Sequence, residues 1–332
     1  MRAPSFWWRE RPGFAALLLA PAGALYAFAT RRRMAREGAR CGVPVICVGN
    51  PTAGGAGKRP LALEIARLLI EAGEKPAFVS RGHGGAIRGK PLRVDPARHD
   101  AALAGDEPLL LARVAPVFVC ADRAAAARMA AGEGATVVVM DDGMQNPALR
   151  KDLTFAVVDG GAGLGNGLCV PAGPLRAAFA DQLGWFDALV VSGEGPPGER
   201  AVAEAPGKPV FHARLVPDSA ASARLGGARV VAFAGIGRPE KFFATLRDMG
   251  AGIEAERPFP DHHRFTPAEL GALSGEARAR EAILVTTEKD AARLPPNFGA
   301  VAVPVRMDIA DVKGLRKLIL DALARARRRS VA

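Results

Sequence analysis

Gly54, Gly55, Gly57 and Lys58 stand between an apolar run, residues 43–48, and a segment whose apolar residues recur at helical spacing from Leu61 onward. Glycines let a backbone curl with its N–H groups turned inward. A lysine adds a point charge, and the following helix presents the positive end of its dipole, so such a layout cradles phosphate. The stretch therefore reads as a P-loop for a nucleoside triphosphate, with Thr52, Ala53, Gly54, Gly55, Ala56, Gly57, Lys58 and Arg59 as the binding residues. The plainer reading is a Gly-rich turn between strand and helix, against which Lys58 and the acids described next both weigh. Two letters depart from the common pattern. Thr52 stands where a first glycine is usual, and Arg59 where a Ser or Thr would offer its hydroxyl to Mg²⁺. The metal must then be held mainly by other groups.

Residues 136–140 form an apolar, β-branched run that ends in Asp141-Asp142-Gly143-Met144-Gln145. Acids at the carboxyl end of a strand beside a P-loop hold Mg²⁺ directly or through water, so Asp141 and Asp142 are the expected metal residues. A bare Asp-Asp-Gly turn is the alternative. Asp106, in Gly105-Asp106-Glu107-Pro108 ahead of an apolar helix, reads on local grounds equally well as a helix cap alone and as a functional acid. Asp261-His262-His263 carries two adjacent imidazoles that point different ways from most backbones, which favours one functional histidine over a chelating pair. Cys41, Cys47, Cys120 and Cys169 show no C-x-x-C spacing and sit in apolar contexts, so buried thiols in a reducing compartment are expected, with neither zinc nor disulfides. Gly235-Ile236-Gly237 lacks the third glycine of a dinucleotide fingerprint, because Glu240 takes that slot, and reads as a tight turn.

The elements that must position these residues alternate. Short strand-like runs at 43–48, 77–79, 117–120, 136–140, 155–158 and 188–191 are separated by helical patterns, which argues an α/β fold, a P-loop NTPase-like, doubly wound, mostly parallel sheet. Composition shifts to Gly, Pro and Glu around 193–209, and a fresh alternation starts near 229. The expected division is a membrane-interfacial segment 1–40, a P-loop core 41–208, a linker 209–228 and a second, smaller α/β domain 229–332 that includes the closing helix. The length of 332 residues suits two cores. A net charge of +11 and a pI near 10.1 call for anionic partners. Nucleic acid is disfavoured, since Tyr26 is the sole tyrosine and the basic residues are not interleaved with stacking aromatics.

At the N-terminus Phe6-Trp7-Trp8 precedes an uncharged stretch, residues 12–30, followed by Arg31, Arg32, Arg33, Arg36 and Arg40. An interfacial anchor is the preferred reading: tryptophans at headgroup depth, arginines on anionic lipid. A membrane span, a cleaved signal and a buried core helix are the alternatives, the first tempered by Pro21 and the many Ala and Gly residues.

These blocks, with Ser80-Arg81-Gly82, Gly165-Asn166-Gly167, Pro171-Ala172-Gly173-Pro174-Leu175-Arg176 and Thr286-Thr287-Glu288-Lys289-Asp290, occur in an order that resembles the tetraacyldisaccharide 4′-kinases, the lipid A kinases of Gram-negative bacteria. The resemblance implies ATP- and Mg²⁺-dependent phosphorylation of the 4′-hydroxyl of an acylated disaccharide 1-phosphate, giving lipid IVA at the cytoplasmic face of the inner membrane. It further implies that Lys58 holds ATP phosphates and that Asp141 and Asp142 bind Mg²⁺. Asp106 would accept the hydroxyl proton with His262 tuning it, and Arg123, Gln145 and Arg176 would position substrate. Where the family usually has Thr and Glu, this chain has Arg59 and Ala177, which puts metal affinity in question. Competing classes are a P-loop GTPase or ATPase that loads a cofactor onto another protein, and a non-catalytic, nucleotide-gated membrane adaptor. A guanine-reading Asn-Lys-x-Asp is lacking, the nearest string being Glu288-Lys289-Asp290.

Overall fold

The computed structural model describes residues 3–82, 85–87, 89–261, 263–295 and 297–331. It divides into two compact units. Of the described residues, the larger comprises 3–215 with 307–331, the smaller 216–306.

The larger unit is built on a nine-stranded sheet. Its strands are β1 (Val45–Gly49), β2 (Pro76–Ser80), β3 (Leu92–Arg93), β4 (Val117–Val119), β5 (Val137–Asp141), β6 (Leu153–Asp159), β7 (Ala188–Ser192) and β8 (Val210–Pro217). The ninth is the late strand β13, and the order is β13-β8-β7-β6-β1-β5-β2-β4-β3. From β4 through β8 every neighbouring pair is parallel, and the short β3 is antiparallel to β4. Strands buried on both faces must be apolar throughout, and β1, β5 and β6 are buried at every residue. Alternation then sorts them: Ile46 and Val48 join one core with the helix Lys58–Glu71, whereas Val45 and Cys47 join the opposite one with the helix Arg123–Gly132.

The smaller unit holds a parallel sheet of β9 (Arg229–Ala234), β10 (Gly252–Pro258), β11 (Ile283–Thr287) and β12 (Val301–Val303), in the order β10-β9-β11-β12. Val230 and Ala232 face Phe242, Phe243 and Leu246, while Val231 and Phe233 face Leu270 and Leu273. The last strand, β13 (Val305–Ile309), returns the chain to the large sheet.

Three expectations need correction. The composition shift at 193–209 is not a boundary. It holds the helix Pro196–Ala203 that links β7 to its parallel neighbour β8 inside the large sheet. The expected linker, 209–228, carries β8 and the helix Ser219–Leu225. The closing helix, Val312–Val331, belongs to the larger unit: Leu315, Ile319, Ala322 and Leu323 pack in the same core as Leu61, Ile65 and Leu69.

Candidate active site

β1 delivers the chain to Gly49, where a Cβ would lie 2.5 Å from that of Met144, so only glycine fits as the loop departs. The loop then curls through two left-handed residues, Gly54 (φ +113°) and Gly57 (φ +93°), conformations glycine adopts without strain. Gly55 does not take a positive φ. Asn50 staples the curl by donating its Nδ2 to the Gly54 carbonyl at 3.0 Å. The helix Lys58–Glu71 starts directly after Gly57, with no side chain capping it. Its first N–H groups and dipole therefore face the loop, the arrangement that binds anions.

The parallel register sets Val48 of β1 opposite Asp141 of β5, which brings the two acids to the mouth of the loop. Asp142 adopts φ +49°, a turn conformation Asp tolerates. It receives Lys58 Nζ at 3.2 Å and Arg176 in a fork, Nη1 at 2.7 Å and Nη2 at 3.3 Å. Burial opposes its ionisation, but Lys58 and Arg176 outweigh that and hold the carboxyl well below the ordinary range. Burial likewise pulls Lys58 below a normal lysine, with Asp142 resisting.

Asp141 lies in the opposite regime. Burial first, then the Glu107 charge, push it up to about 6, against the pull of Arg59 and Lys58. Its Oδ1 is buried with no hydrogen-bond partner among the described residues. A buried, unsatisfied carboxylate oxygen facing a second acid is a demand for a cation, and hard oxygen donors suit Mg²⁺. Among the described residues no group of three or more His, Cys, Asp or Glu side chains forms a complete cage, so ATP phosphates and water would have to supply the other ligands of an Mg²⁺ ion.

Asp106 is 5% exposed and opens the helix Asp106–Leu111. The cap position itself falls on Gly105, so Asp106 lies inside the first turn beside Glu107, and its Oδ1 accepts from the Glu107 N–H at 3.0 Å. Glu107 forms an ion pair with Arg59. Arg123 is buried and donates Nη2 to the Asp142 carbonyl at 3.1 Å. Gln145 is buried too, donating to the Asn50 carbonyl and to Gln182 Oε1, each at 2.9 Å. Arg123, Gln145 and Arg176 thus all brace the acids or the loop backbone. His262 lies outside the described residues. Its neighbour His263 is committed elsewhere, with Nε2 3.0 Å from Glu269 and its ring stacked on Phe259.

Sequence reasoning assigned no role to Glu107, Gln182 or Asn50. Glu107 was the findable one, since an arginine in a hydroxyl position beside phosphate sites calls for an acid to hold it.

Residues 15–324 match the family described as tetraacyldisaccharide-1-P 4′-kinase. The chain belongs to this family. A tetraacyldisaccharide 4′-kinase from Methylorubrum extorquens (strain PA1) is 57% identical over 93% of this chain and 94% of its own length. Another, from Methylobacterium sp. (strain 4-46), is 54% identical over 98% and 99%. Among solved structures, LpxK from Aquifex aeolicus in complex with ATP superposes with a TM-score of 0.75 at 26% identity, covering 93% of this chain and 99% of that one. Set against the family pattern, Arg59 here forms the Glu107 ion pair, and Ala177 is fully buried with its carbonyl accepting from Gln182 Nε2 at 2.7 Å.

Proposed function

We propose that this chain transfers the γ-phosphoryl group of ATP to the 4′-hydroxyl of an acylated disaccharide 1-phosphate, the reaction its relatives are named for, yielding lipid IVA. The observation that carries the reading is the uncapped helix start after Gly57 with Lys58 beside Asp142, in a family with a solved ATP complex. Phosphoryl transfer depends on positioning and charge neutralisation rather than on covalent chemistry by the protein. The loop N–H groups and Lys58 hold the phosphates. Arg176 and Lys58 keep Asp142 ionised and fixed. Asp141, with Asp142 beside it, would hold Mg²⁺, which when bound supplies charge neutralisation on the β- and γ-phosphates. Asp106 accepts the proton of the attacking hydroxyl.

The membrane reading rests on the helix Phe14–Met34, long and apolar enough by composition to cross a bilayer, with 17% of its most apolar window buried. Phe14, Leu17, Leu18, Leu25 and Phe28 are exposed, while Ala16, Gly23 and Thr30, seven apart, turn inward. A helix with one seated edge and an exposed apolar surface fits an interfacial anchor at the cytoplasmic face of the bacterial inner membrane, its last-turn arginines meeting anionic lipid.

Incubation with labelled ATP and the acylated disaccharide tests the proposal. Labelled lipid product, lost in Asp106→Ala, is expected. Nucleotide hydrolysis without lipid product would instead favour a cofactor-loading NTPase, and binding without turnover an adaptor.

A further inference from the structure

Residues 165–176 touch the N-terminal element at one end and the phosphate loop at the other, and the reaction above uses only one of their side chains, Arg176. Asn166 is 5% exposed and fully engaged. Its Nδ2 donates to the carbonyls of Phe6 at 3.2 Å and Ala172 at 3.0 Å, and its Oδ1 accepts from the Leu168 N–H at 3.1 Å. Its own N–H donates to the Trp7 carbonyl at 2.8 Å, and the Trp7 indole donates to the Pro171 carbonyl at 2.9 Å. Gly165 takes φ +64°, and a Cβ there would collide with the Trp7 carbonyl. On the N-terminal helix, a Cβ at Gly23 would lie 2.7 Å from the Cys169 carbonyl oxygen, so backbone meets backbone there as well.

The segment is closed on itself. Val170 N–H donates to the Leu175 carbonyl and Leu175 N–H to the Leu168 carbonyl, both at 3.0 Å. At its far end the Pro174 carbonyl accepts from the Ala53 N–H at 2.7 Å, and the Arg176 N–H donates to the Pro51 carbonyl at 2.8 Å. Thr52 also bridges to Leu175. The backbone that shapes the phosphate loop therefore hangs on this segment, and the segment hangs on the N-terminal element.

We propose that residues 165–176 form a tie that transmits the seating of the N-terminal element to the phosphate loop, with Asn166 and Trp7 as positioning residues of the nucleotide site. The inference rests on the reading that this loop binds ATP. A lipid surface that orders the helix through its exposed Leu17, Leu18 and Leu25 also orders Pro51, Thr52 and Ala53. Coupling between two binding events is reciprocal, so nucleotide must tighten membrane binding by the factor with which membrane tightens nucleotide.

The test measures affinity for a non-hydrolysable ATP analogue with magnesium, by calorimetry on the full chain, with and without vesicles of phosphatidylethanolamine doped with phosphatidylglycerol. Vesicles are expected to tighten analogue binding about fivefold, and the analogue to tighten vesicle binding by the same factor. Trp7→Phe keeps an aromatic ring but loses the indole donor, and Asn166→Ala cuts the junction. Both should raise KM for ATP, by roughly 3- and 10-fold, leave KM for the lipid acceptor unchanged, and weaken the reciprocity. A merely structural role would lower the melting temperature and leave KM for ATP alone. Should Asn166→Ala fail to fold, Trp7→Phe and the vesicle arm on the unaltered chain decide the matter. Wild-type affinity in folded variants, or no vesicle effect on the unaltered chain, overturns the tie. Absence of analogue binding in the unaltered chain overturns instead the ATP reading beneath it.

Discussion

Arg59 occupies the position where a P-loop usually carries a hydroxyl, and its guanidinium is spent on Glu107. That pair matters because Glu107 is one of the charges that push Asp141 upward, while Arg59 pulls it down. Arg59→Thr removes a cation and adds a metal-binding hydroxyl, and both changes favour Mg²⁺. Two unit charges about 10 Å apart at an effective dielectric of about 20 interact by ~1.7 kcal/mol; the divalent ion doubles this and salt screening over about one Debye length cuts it back to roughly 1–2 kcal/mol, on the order of tenfold in affinity. The magnesium concentration for half-maximal activity should fall by roughly that factor in Arg59→Thr, and an unchanged titration would count against the idea. Asp141 supports a second expectation. Its buried Oδ1, with no hydrogen-bond partner among the described residues, costs the metal-free protein stability. Burial raises this carboxyl to about 6, so its ionised form destabilises the fold at neutral pH; Asp141→Asn removes that charge at nearly constant shape and should melt higher than wild type without metal, by about 1–3 kcal/mol, while losing lipid phosphorylation. A lower melting point would show that the carboxylate is satisfied in the apo protein. Such a trade, stability given up for chemistry, is expected where a site is built for a ligand.

At the scale of elements, the C-terminal helix is pinned to the far end of the phosphate-loop helix. Arg327 Nη2 meets Glu74 Oε2 at 2.6 Å, and Thr136 Oγ1 donates to the same oxygen at 2.5 Å. The Arg327 hydrogen bond is the main cause of a Glu74 pKa below the ordinary value. A carboxyl depressed in the folded state contributes stability that is present above its unfolded pKa, about 4.3, and lost as pH falls through the folded value. Arg327→Ala should therefore melt slightly lower than wild type at neutral pH, by less than about 1 kcal/mol. The gap should close in acid below the unfolded pKa, and melting curves across pH would reveal a gap that instead persists. The central strands were legible because β-branched runs buried on both faces leave a plain mark. β10 was not, because Gly252-Ile253-Glu254-Ala255-Glu256-Arg257-Pro258 is an edge strand with acids and bases pointing to solvent. The phosphate loop and Asp141-Asp142 could be read from local spacing. The Lys58–Asp142–Arg176 triangle could not, since its members lie far apart in the chain and are brought together by the β1–β5 register and by the backbone bonds between residues 174–176 and the phosphate loop.

For the whole molecule, the chain's path hid the domain plan. It leaves the large unit after Leu215, builds the smaller one, and comes back at Met307, so the larger unit is made of two separate stretches of sequence. A sequence read from left to right assigns the closing helix to whatever precedes it. Its stripe Leu315, Ile319, Ala322 and Leu323 has the spacing of any core-facing helix and does not say which core it faces. In the structure each of these residues is at most 2% exposed and packs beneath the phosphate-loop helix. Burying three large aliphatic side chains contributes roughly 5–9 kcal/mol, of the same size as the total stability of a typical domain, about 5–15 kcal/mol. A chain ending at Asp311 should therefore lose binding of the ATP analogue and the cooperative melting of the larger unit, although no residue of the phosphate site has been touched. Were the helix part of the smaller unit, as its place in the sequence implies, the same truncation would leave nucleotide affinity intact. Calorimetric titration of the shortened chain separates the two outcomes.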